Sequence, residues 1–329
     1  MTTYGYTLMG EGHDPRELVR NATLAEEAGF DFAVFSDHYH PWLPSQEHSP
    51  FTWTVLGAVA QATSRMELAT MVTCPIIRYH PAIVAQAAAT LSELFPERFW
   101  LALGSGEASN EHITGDRWPT KETRRARLGE AVAVIRALLA GETVSHDGLV
   151  KVDRARLWTL PERPPELIGA AISAETAAWV GGWADGLVTL NQPHDQLRKL
   201  IDAFRAGGGE GKPLYLQVHL SWAADEETAL AVAHDQWQSN VFDPALAMDL
   251  VLPEQFDAAA RFVTPEDVRS AVLVSADLGR HIAWLGEYLE LGFDRIYLHE
   301  VGQAEHQQPF IDAFGSKVVP ELTGRGGPA

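Results

Sequence analysis

The fold class of this chain is indicated by one stretch, Phe32-Ala-Val-Phe-Ser-Asp-His-Tyr-His-Pro-Trp42. Its first four residues are uniformly apolar, which is typical of a short strand that is buried on both faces. An acid, an imidazole and an indole follow directly, as Asp37, His38 and Trp42. In α/β folds, chemistry is concentrated where parallel strands end, at a sheet edge or a barrel mouth. The stretch therefore predicts an α/β protein with a functional site at this strand end.

A second stretch repeats the pattern. The apolar run Phe99-Trp-Leu-Ala-Leu103 leads into Gly104-Ser-Gly-Glu-Ala-Ser-Asn-Glu111. This loop is not a dinucleotide fingerprint, because the third glycine is missing and we expect no helix to open there. In an apolar pocket the carboxyl of Glu107 would have a raised pKa and could donate a proton, whereas an exposed polar loop is the structural alternative. Two polar groups at matching strand ends predict one shared pocket.

Strand and helix patterns alternate along the chain, and eight strands are predicted. That number is typical of a (β/α)8 TIM barrel, with a doubly wound sheet as the alternative. The predicted strands are Tyr4–Met9, Asp31–Ser36, Met66–Val72, Arg98–Leu103, Glu166–Ala171, Gly186–Leu190, Leu214–Leu220 and Phe293–His299.

No Gly/Ser/Pro-rich linker interrupts this alternation, so we expect one domain over residues 1–329. Residues 104–121 and 240–265 fit no simple period and are predicted to be insertions at the catalytic, C-terminal face of the barrel. Glu142–Val152 contains an Asp147-Gly148 turn between short apolar runs, which predicts a β-hairpin.

The amino-acid composition limits which binding partners and which cellular compartment are expected. The formal net charge is −19, from 44 acidic and 25 basic side chains, which argues against nucleic acid and anionic membranes as partners. The single cysteine, Cys74, excludes an internal disulfide and a multi-cysteine zinc site. Neither a secretory signal nor a stretch of ~20 apolar residues is visible. We therefore expect a cytoplasmic protein, whereas the net charge says nothing about a small-molecule substrate.

The histidines near Asp37 admit two chemical interpretations. His38 can serve as a general base tuned by a nearby carboxylate. Alternatively, His38 and His40 can bind a metal ion, as in barrel hydrolases, with further ligands from His80, His112, His219 or His299. The turn at Pro41 is expected to direct His40 away from His38. Cys74 has no base beside it in the sequence, which disfavours a nucleophilic role.

Five segments together resemble the luciferase-like flavin and deazaflavin oxidoreductases, in the branch of coenzyme F420-dependent glucose-6-phosphate dehydrogenase. They are Ser36–Trp42, Arg78-Tyr-His-Pro-Ala-Ile-Val-Ala-Gln86, Phe95-Pro-Glu-Arg98, Gly104–Glu111 and Trp183-Ala-Asp-Gly186. The resemblance implies a (β/α)8 barrel that carries the cofactor ring at its C-terminal mouth, and it implies a homodimer.

The resemblance also implies roles for individual residues. His38 is similar to the base that takes the hydroxyl proton of the substrate, and Glu107 to the acid that protonates the reduced ring. Trp42 would stack near the reacting carbon. Met71-Val72 matches the position of a non-proline cis peptide behind the ring. The implied cofactor contacts are Asp37, Met71, Val72, Asn110, Ala171, Ile172 and Ser173.

Three features depart from the family pattern, and the first concerns the residues that bind the substrate phosphate. The lysines that hold a sugar phosphate in the family correspond to Asn191-Gln192 and to Asp243–Leu252, which has no basic residue. Arg261 and Arg269 are the nearest candidates for the family's arginine. We therefore expect glucose 6-phosphate to be a poor substrate.

Two further departures concern the cofactor and the substrate pocket. A Gly-Gly pair near the cofactor phosphate is replaced by Ile172-Ser173, and Ser173 can cap a phosphate-binding helix N-terminus. A substrate-side threonine is replaced by Cys74, which we place in the substrate pocket with Asn191. These changes resemble a branch that uses FMN, so F420 is the expected cofactor and FMN the alternative.

The sequence thus predicts hydride transfer between F420 and a small alcohol or aldehyde. The alternatives are an FMN-dependent monooxygenase or oxidoreductase, a metal-dependent hydrolase that uses His38 and His40, and a non-catalytic, cofactor-binding member of the family.

Overall fold

The protein is described by a computed structural model that covers residues 2–324. Within these residues, eight parallel strands close into a barrel, because the last strand pairs with both the first and the seventh. The strands are Thr3–Leu8 (β1), Phe32–Phe35 (β2), Glu67–Thr73 (β3), Phe99–Leu103 (β4), Leu167–Ala170 (β5), Gly186–Leu190 (β6), Leu214–Ser221 (β7) and Arg295–Glu300 (β8). The predicted (β/α)8 TIM barrel is confirmed.

The apolar pattern of β2 has a simple structural cause. Phe32 and Val34 point into the barrel, where they pack in one cluster with Trp100 and Tyr297. The intervening residues of β2 join the outer core between strands and helices. All four side chains are fully buried, so this strand cannot show the alternation of a sheet with one solvated face.

Helices surround the barrel and follow the strands in order. The longer ones are Pro15–Glu27, Thr52–Ala62, Pro81–Leu94, Lys121–Leu139, Ala174–Gly181, His194–Phe204, Glu226–Trp237, Leu278–Leu289 and Ala304–Ala313. The first helix begins as its sequence predicts, with Pro15 at its first position and Asp14 as a cap that accepts from the N–H of Arg16 and of Glu17. Such a cap contributes about 1 kcal/mol. No helix within residues 2–324 combines the length and the apolar character that a membrane span requires.

The predicted hairpin is also present, as antiparallel strands Val144–Asp147 and Lys151–Ala155. One additional short strand, Leu273–Val274, pairs in parallel with the end of β7 outside the closed ring. This two-residue strand is too short to give a periodic signal in the sequence.

The two predicted insertions contain short helices. The expectation that no helix opens after Gly104 is wrong, because a helix spans Ala108–Glu111 directly after Glu107. The second region contains Pro244–Ala247 and Pro253–Ala260, each of which begins at a proline. These helices are four to eight residues long, so they are shorter than the window in which helical periodicity can be detected.

The two insertions meet above the mouth of the barrel. The backbone N–H of Ala108 donates to the carbonyl of Met248 at 3.1 Å, and the indole N–H of Trp118 donates to Asp249 at 3.1 Å. Tertiary hydrogen bonds of this kind stabilise helices that are too short to form alone. The extent of a single domain over residues 1–329 stays a prediction.

Candidate active site

A cavity of about 1400 Å³ opens at the C-terminal ends of the barrel strands. Every residue that the sequence predicted for the site lies in its wall, namely Asp37, His38, Trp42, Met71, Val72, Cys74, Glu107, Asn110, Ala171, Ile172, Ser173 and Asn191. The shared pocket inferred from two strand ends is therefore present. The roles of these residues stay predictions.

His38 forms an ion pair with a residue that sequence reasoning missed. Its Nδ1 contacts the carboxylate of Glu11, which lies just beyond β1 and also accepts from the hydroxyl of Ser36 at 3.4 Å. Burial disfavours the charged form of each partner, but their attraction and hydrogen bond outweigh it, so the pKa of His38 is raised and that of Glu11 is lowered. Glu11 follows a strand end, which is the same signal that identified Asp37.

Trp42 holds the other side of the His38 ring. The indole meets the imidazole edge to face, with 5.0 Å between ring centroids and 88° between the planes. Trp42 itself packs on Phe256, and its backbone N–H donates to the side chain of Gln46 at 2.9 Å. The imidazole is thus fixed by a carboxylate at Nδ1 and an indole against its edge, which leaves Nε2 as the nitrogen that can exchange a proton with a ligand.

Asp37 is engaged by the protein itself. Its carboxylate accepts from the hydroxyl of Thr73 at 2.6 Å, from that of Tyr79 at 3.0 Å and from the guanidinium of Arg78 at 3.1 Å. The residue is 2% exposed. Any contact with a cofactor ring would add to this existing network, which ties the loop after β2 to the loop after β3.

Arg78 extends the same network to the loop after β4. Its backbone N–H donates to the carboxylate of Glu111 at 2.7 Å, and its guanidinium also donates to the carbonyl of Asp37. Burial raises the pKa of Glu111 to about 7, although the hydrogen bond and the charge of Arg78 oppose this shift. The sequence placed Arg78 in a family motif without giving it a role.

Glu107 and Asn110 line the same cavity as His38. Burial raises the pKa of Glu107, while the positive charge of His38 opposes this effect. The amide of Asn110 donates to the carboxyl of Glu107 at 3.3 Å, and its oxygen accepts from the backbone N–H of Tyr39 at 2.7 Å. Asn110 therefore links the carboxyl of Glu107 to the loop that carries His38.

The peptide bond between Met71 and Val72 is cis, as the resemblance implied. This bond lies at the end of β3, beside the start of the loop after β4. A Cβ atom on Gly104 would stand 2.5 Å from a methyl carbon of Val72, so only glycine allows the two strand ends to approach this closely. The result is a smooth, apolar part of the cavity wall.

The far end of the cavity carries anion-binding features. Ser173 caps helix Ala174–Gly181, and its hydroxyl accepts from the backbone N–H of Thr176. Lys121 and Arg124 line the same cavity. The ammonium of Lys121 bonds Glu175 in the first turn of this helix at 3.1 Å, and the guanidinium of Arg124 stacks on Trp118 at 4.3 Å. A helix N-terminus beside basic side chains favours a phosphate or a carboxylate.

Two other predicted residues have clear surroundings. Cys74 is buried, and burial raises the pKa of its thiol well above the usual value, which disfavours the thiolate that a nucleophile needs. His40 stacks on His112 at 5.3 Å and not beside His38. Within residues 2–324, no group of three or more His, Cys, Asp or Glu side chains is placed to hold a metal ion, so the hydrolase hypothesis lacks a donor set.

The fold and the site define a barrel oxidoreductase, and the comparisons with known proteins agree. The sequence profile of the luciferase-like monooxygenase family matches residues 2–295, so the chain belongs to this family. The chain is 34% identical over 329 residues to a protein of Nakamurella multipartita named F420-dependent glucose-6-phosphate dehydrogenase, with 97% of this chain and 96% of that protein covered.

Similar structures support the same assignment. An F420-dependent secondary alcohol dehydrogenase, solved in complex with an F420-acetone adduct, superposes with a TM-score of 0.90 at 28% identity and covers 98% of this chain and 99% of its own. The F420-dependent tetrahydromethanopterin reductase of Methanopyrus kandleri reaches a TM-score of 0.80 at 20% identity, covering 98% and 99% of the two chains, and shows the shared fold alone.

Proposed function

We propose that this chain transfers a hydride between the deazaflavin F420 and a small, uncharged alcohol or its carbonyl product. The observation that carries the proposal is that a base and an acid line one cavity. His38 is fixed by Glu11, and Glu107 lines the same cavity. Relatives named as F420-dependent enzymes over nearly the whole chain support the choice of cofactor.

The cavity offers what a long, planar and anionic cofactor requires. Met71, Val72 and Gly104 provide a smooth apolar surface for a ring. The N-terminus of the helix that Ser173 caps provides backbone N–H groups for an anionic tail, with Lys121 and its partner Glu175 beside it. When bound, the cofactor would supply the hydride acceptor or donor. The protein residues would bind it, exclude water and move protons.

The proton steps follow from the charge states of the site. Because Nδ1 of His38 faces a carboxylate, Nε2 can take the proton of a substrate hydroxyl, and Glu11 stabilises the resulting imidazolium. Because burial raises the pKa of Glu107, this carboxyl is favoured in the protonated form and can donate a proton. The two groups therefore act in opposite directions in one turnover.

Charge argues for an uncharged substrate. Among the described residues, the basic side chains in the cavity wall are Lys121 and Arg124, both at the end proposed for the cofactor tail. Arg269 instead bonds Glu266 and the carbonyl of Val274, each at 3.1 Å. A phosphate dianion at the substrate end would lose its hydration without gaining a cationic partner. Glucose 6-phosphate is therefore expected to be a poor substrate.

The cofactor is tested by titrating the purified protein with F420 and, separately, with FMN. We expect saturable F420 binding, and bleaching of its visible absorbance when isopropanol is added but not when glucose 6-phosphate is added. Tight FMN binding without F420 binding would favour the FMN-dependent alternative. Low-micromolar use of glucose 6-phosphate would show that an arginine reaches the substrate end.

Glu107→Gln tests the acid. The variant should bind F420 like the wild type, yet reduce it ~10²–10⁴-fold more slowly, because the amide has no proton to give. Glu93→Gln, at an exposed position of helix Pro81–Leu94, is the matched control and should behave like the wild type. Equal reduction rates for the Glu107 and Glu93 variants would remove Glu107 from the mechanism.

The homodimer implied by the resemblance belongs to the same proposal. Phe51 and Ile83 are large apolar residues with 54% and 57% of their surface exposed, which supports a covered face. Light scattering of the purified protein tests this point, since a monomeric mass at micromolar concentration would contradict it.

A further inference from the structure

A second pair of imidazoles lies in the wall of the same cavity. His219 is in β7 and His299 in β8, and the two residues are 8% and 4% exposed. Their ring centroids are 5.2 Å apart, and Trp237 packs against both rings, at 5.0 Å and 4.7 Å. The mechanism proposed above makes no use of this pair.

Burial favours the neutral form of both rings. Burial lowers the pKa of His219 to about 4. Burial also lowers the pKa of His299 well below its usual range, and the neighbouring imidazoles of His219, His13 and His38 add to that effect. This end of the cavity therefore provides hydrogen bonds and no positive charge.

The tautomer of His219 follows from Asn191. The amide nitrogen of Asn191 donates to the carbonyl of Ala271 at 3.0 Å, so its oxygen faces His219. That oxygen accepts from the backbone N–H of His219 and lies 3.0 Å from its Nδ1, which therefore carries the hydrogen. The Nε2 lone pair is left as an acceptor in the cavity wall. Asn191 is thus an amide that orients an imidazole.

The tautomer of His299 is the opposite one. The amide of Gln217 donates to Nδ1 of His299 at 3.0 Å, so the hydrogen of the neutral ring is on Nε2. This Nε2 is buried and has no hydrogen-bond partner among residues 2–324. A buried donor without a partner is unfavourable by roughly 1–3 kcal/mol, which a ligand oxygen would relieve. The cavity wall thus carries an imidazole acceptor and an imidazole donor whose ring centroids are 5.2 Å apart.

We infer that His219 and His299 bind a second hydroxyl group of the substrate, which makes a polyhydroxylated, uncharged alcohol the preferred substrate class. This inference rests on the oxidoreductase function proposed above. A hydroxyl donates to Nε2 of His219 and accepts from Nε2 of His299, so it satisfies both rings. A ketone or ether oxygen cannot donate a hydrogen bond to Nε2 of His219. A phosphate dianion would be repelled by the lone pair on that nitrogen. The reacting hydroxyl is at His38, and the second hydroxyl fixes the orientation of the substrate.

The test compares alcohols on the F420-loaded protein. The kcat/KM values for isopropanol, propylene glycol, glycerol and sorbitol are measured in the wild type and in His219→Phe, which keeps an aromatic ring against Trp237 but removes the acceptor. We expect the wild type to prefer at least one polyol over isopropanol. His219→Phe should lower that preference about 3- to 10-fold, mainly through KM, as the loss of one neutral hydrogen bond predicts.

Two further variants separate hydrogen bonding from packing. His219→Gln keeps an acceptor oxygen and should recover part of the polyol preference. His281→Phe is the matched control, because His281 is a buried imidazole between Trp284 and Phe314 and does not line the cavity. The control should retain the wild-type preference. If His219→Phe is not soluble, Asn191→Leu replaces it, because that change removes the oxygen that fixes the tautomer of His219.

Each outcome decides the inference. A wild type that reduces F420 with isopropanol but prefers no polyol overturns the second hydroxyl site and leaves the proposed function standing. Equal losses on isopropanol and on polyols in His219→Phe also overturn it. If F420 is reduced by none of the four alcohols, the proposed function fails, and this inference fails with it.

Discussion

Two imidazoles in this cavity have similar surroundings, but their pKa values are shifted in opposite directions. His38 and His219 each have an indole packed against the ring, with centroids 5.0 Å apart in both cases. Each also has a side-chain oxygen at Nδ1. That oxygen belongs to the carboxylate of Glu11 in one case and to the amide of Asn191 in the other.

The partner at Nδ1 accounts for the difference. Burial lowers the pKa of both imidazoles, but Glu11 more than compensates at His38, whereas Asn191 brings no charge to His219. The residue at Nδ1, Glu11 or Asn191, therefore determines whether the pKa of the buried histidine is raised or lowered. A raised pKa suits proton transfer, and a lowered pKa leaves the ring to form neutral hydrogen bonds.

The largest expected effect comes from removing His38. His38→Ala should lower kcat by ~10²–10⁴-fold, because the hydroxyl proton then has no acceptor. F420 binding should stay close to that of the wild type, since the apolar wall and the helix N-terminus are untouched. Both quantities can be measured by stopped-flow absorbance and by equilibrium titration.

His40→Ala is the matched control for this change, because His40 contacts His112 and lies outside the Glu11 pair. It should retain turnover. An inactive His40→Ala variant together with co-purified zinc would replace the base mechanism by the metal-dependent one.

The second effect comes from changing the partner of His38. Glu11→Gln replaces the carboxylate at Nδ1 of His38 by a neutral amide, as Asn191 provides at His219. Only neutral His38 can accept a proton, so kcat/KM rises as the pH passes upward through its pKa. Glu11 raises that pKa in the wild type, while Glu107 adds to the shift and Arg78 opposes it. In the variant, the acid limb of the pH profile should therefore move to lower pH.

The same variant should be slower at its optimum. The imidazolium that forms during turnover loses a hydrogen bond to a charged group, which corresponds to ~10- to 100-fold in kcat. Glu290→Gln, at an exposed position, is the control and should change neither the acid limb of the pH profile nor kcat at the optimum. An acid limb that stays in place in Glu11→Gln would show that Glu11 does not tune the base.

The smallest effect comes from the reverse exchange. Asn191→Asp places a carboxylate at Nδ1 of His219 and should raise the pKa of this imidazole from about 4, which an NMR titration of the ring can follow. Once protonated, Nε2 becomes a donor. The preference for a polyol over isopropanol should then fall about 3- to 10-fold when the pH is lowered. A variant whose pH dependence matches that of the wild type would separate Asn191 from the state of His219.

The barrel could be predicted because its signals are local. The four apolar residues of β2 and the Asp14-Pro15 helix start depend on burial and capping that the chain shows directly. The insertions could not be predicted in the same way. The helix Ala108–Glu111 is stabilised by bonds to Tyr39 and Met248, and no pattern within four residues reports such distant partners.

The same distinction between local signals and distant contacts applies to the site. His38, Glu107 and Asn191 were found because they follow predicted strands or match a family motif. Glu11 was missed, although it too follows a strand, because its pairing with His38 depends on β1 lying beside β2. The tautomers of His219 and His299 depend on contacts among β7, β8 and the residue that follows β6, which come together only in the folded barrel.

Arg78 has a consequence for how new substrate ranges could arise. Arg78 bonds Asp37 after β2 through its guanidinium and Glu111 after β4 through its backbone N–H, so this one residue joins three consecutive loops into a single mechanical unit. A loop transplanted alone from a relative would break an ion pair that is buried on both sides, which costs several kcal/mol. Among residues 2–324, the Lys and Arg side chains of the cavity wall are Lys121 and Arg124, so neither of them joins the strand ends near His219 and His299 in this way. We therefore expect sequence changes that alter the substrate range to accumulate at the strand ends near His219 and His299. The three loops joined by Arg78 are expected to change together or not at all.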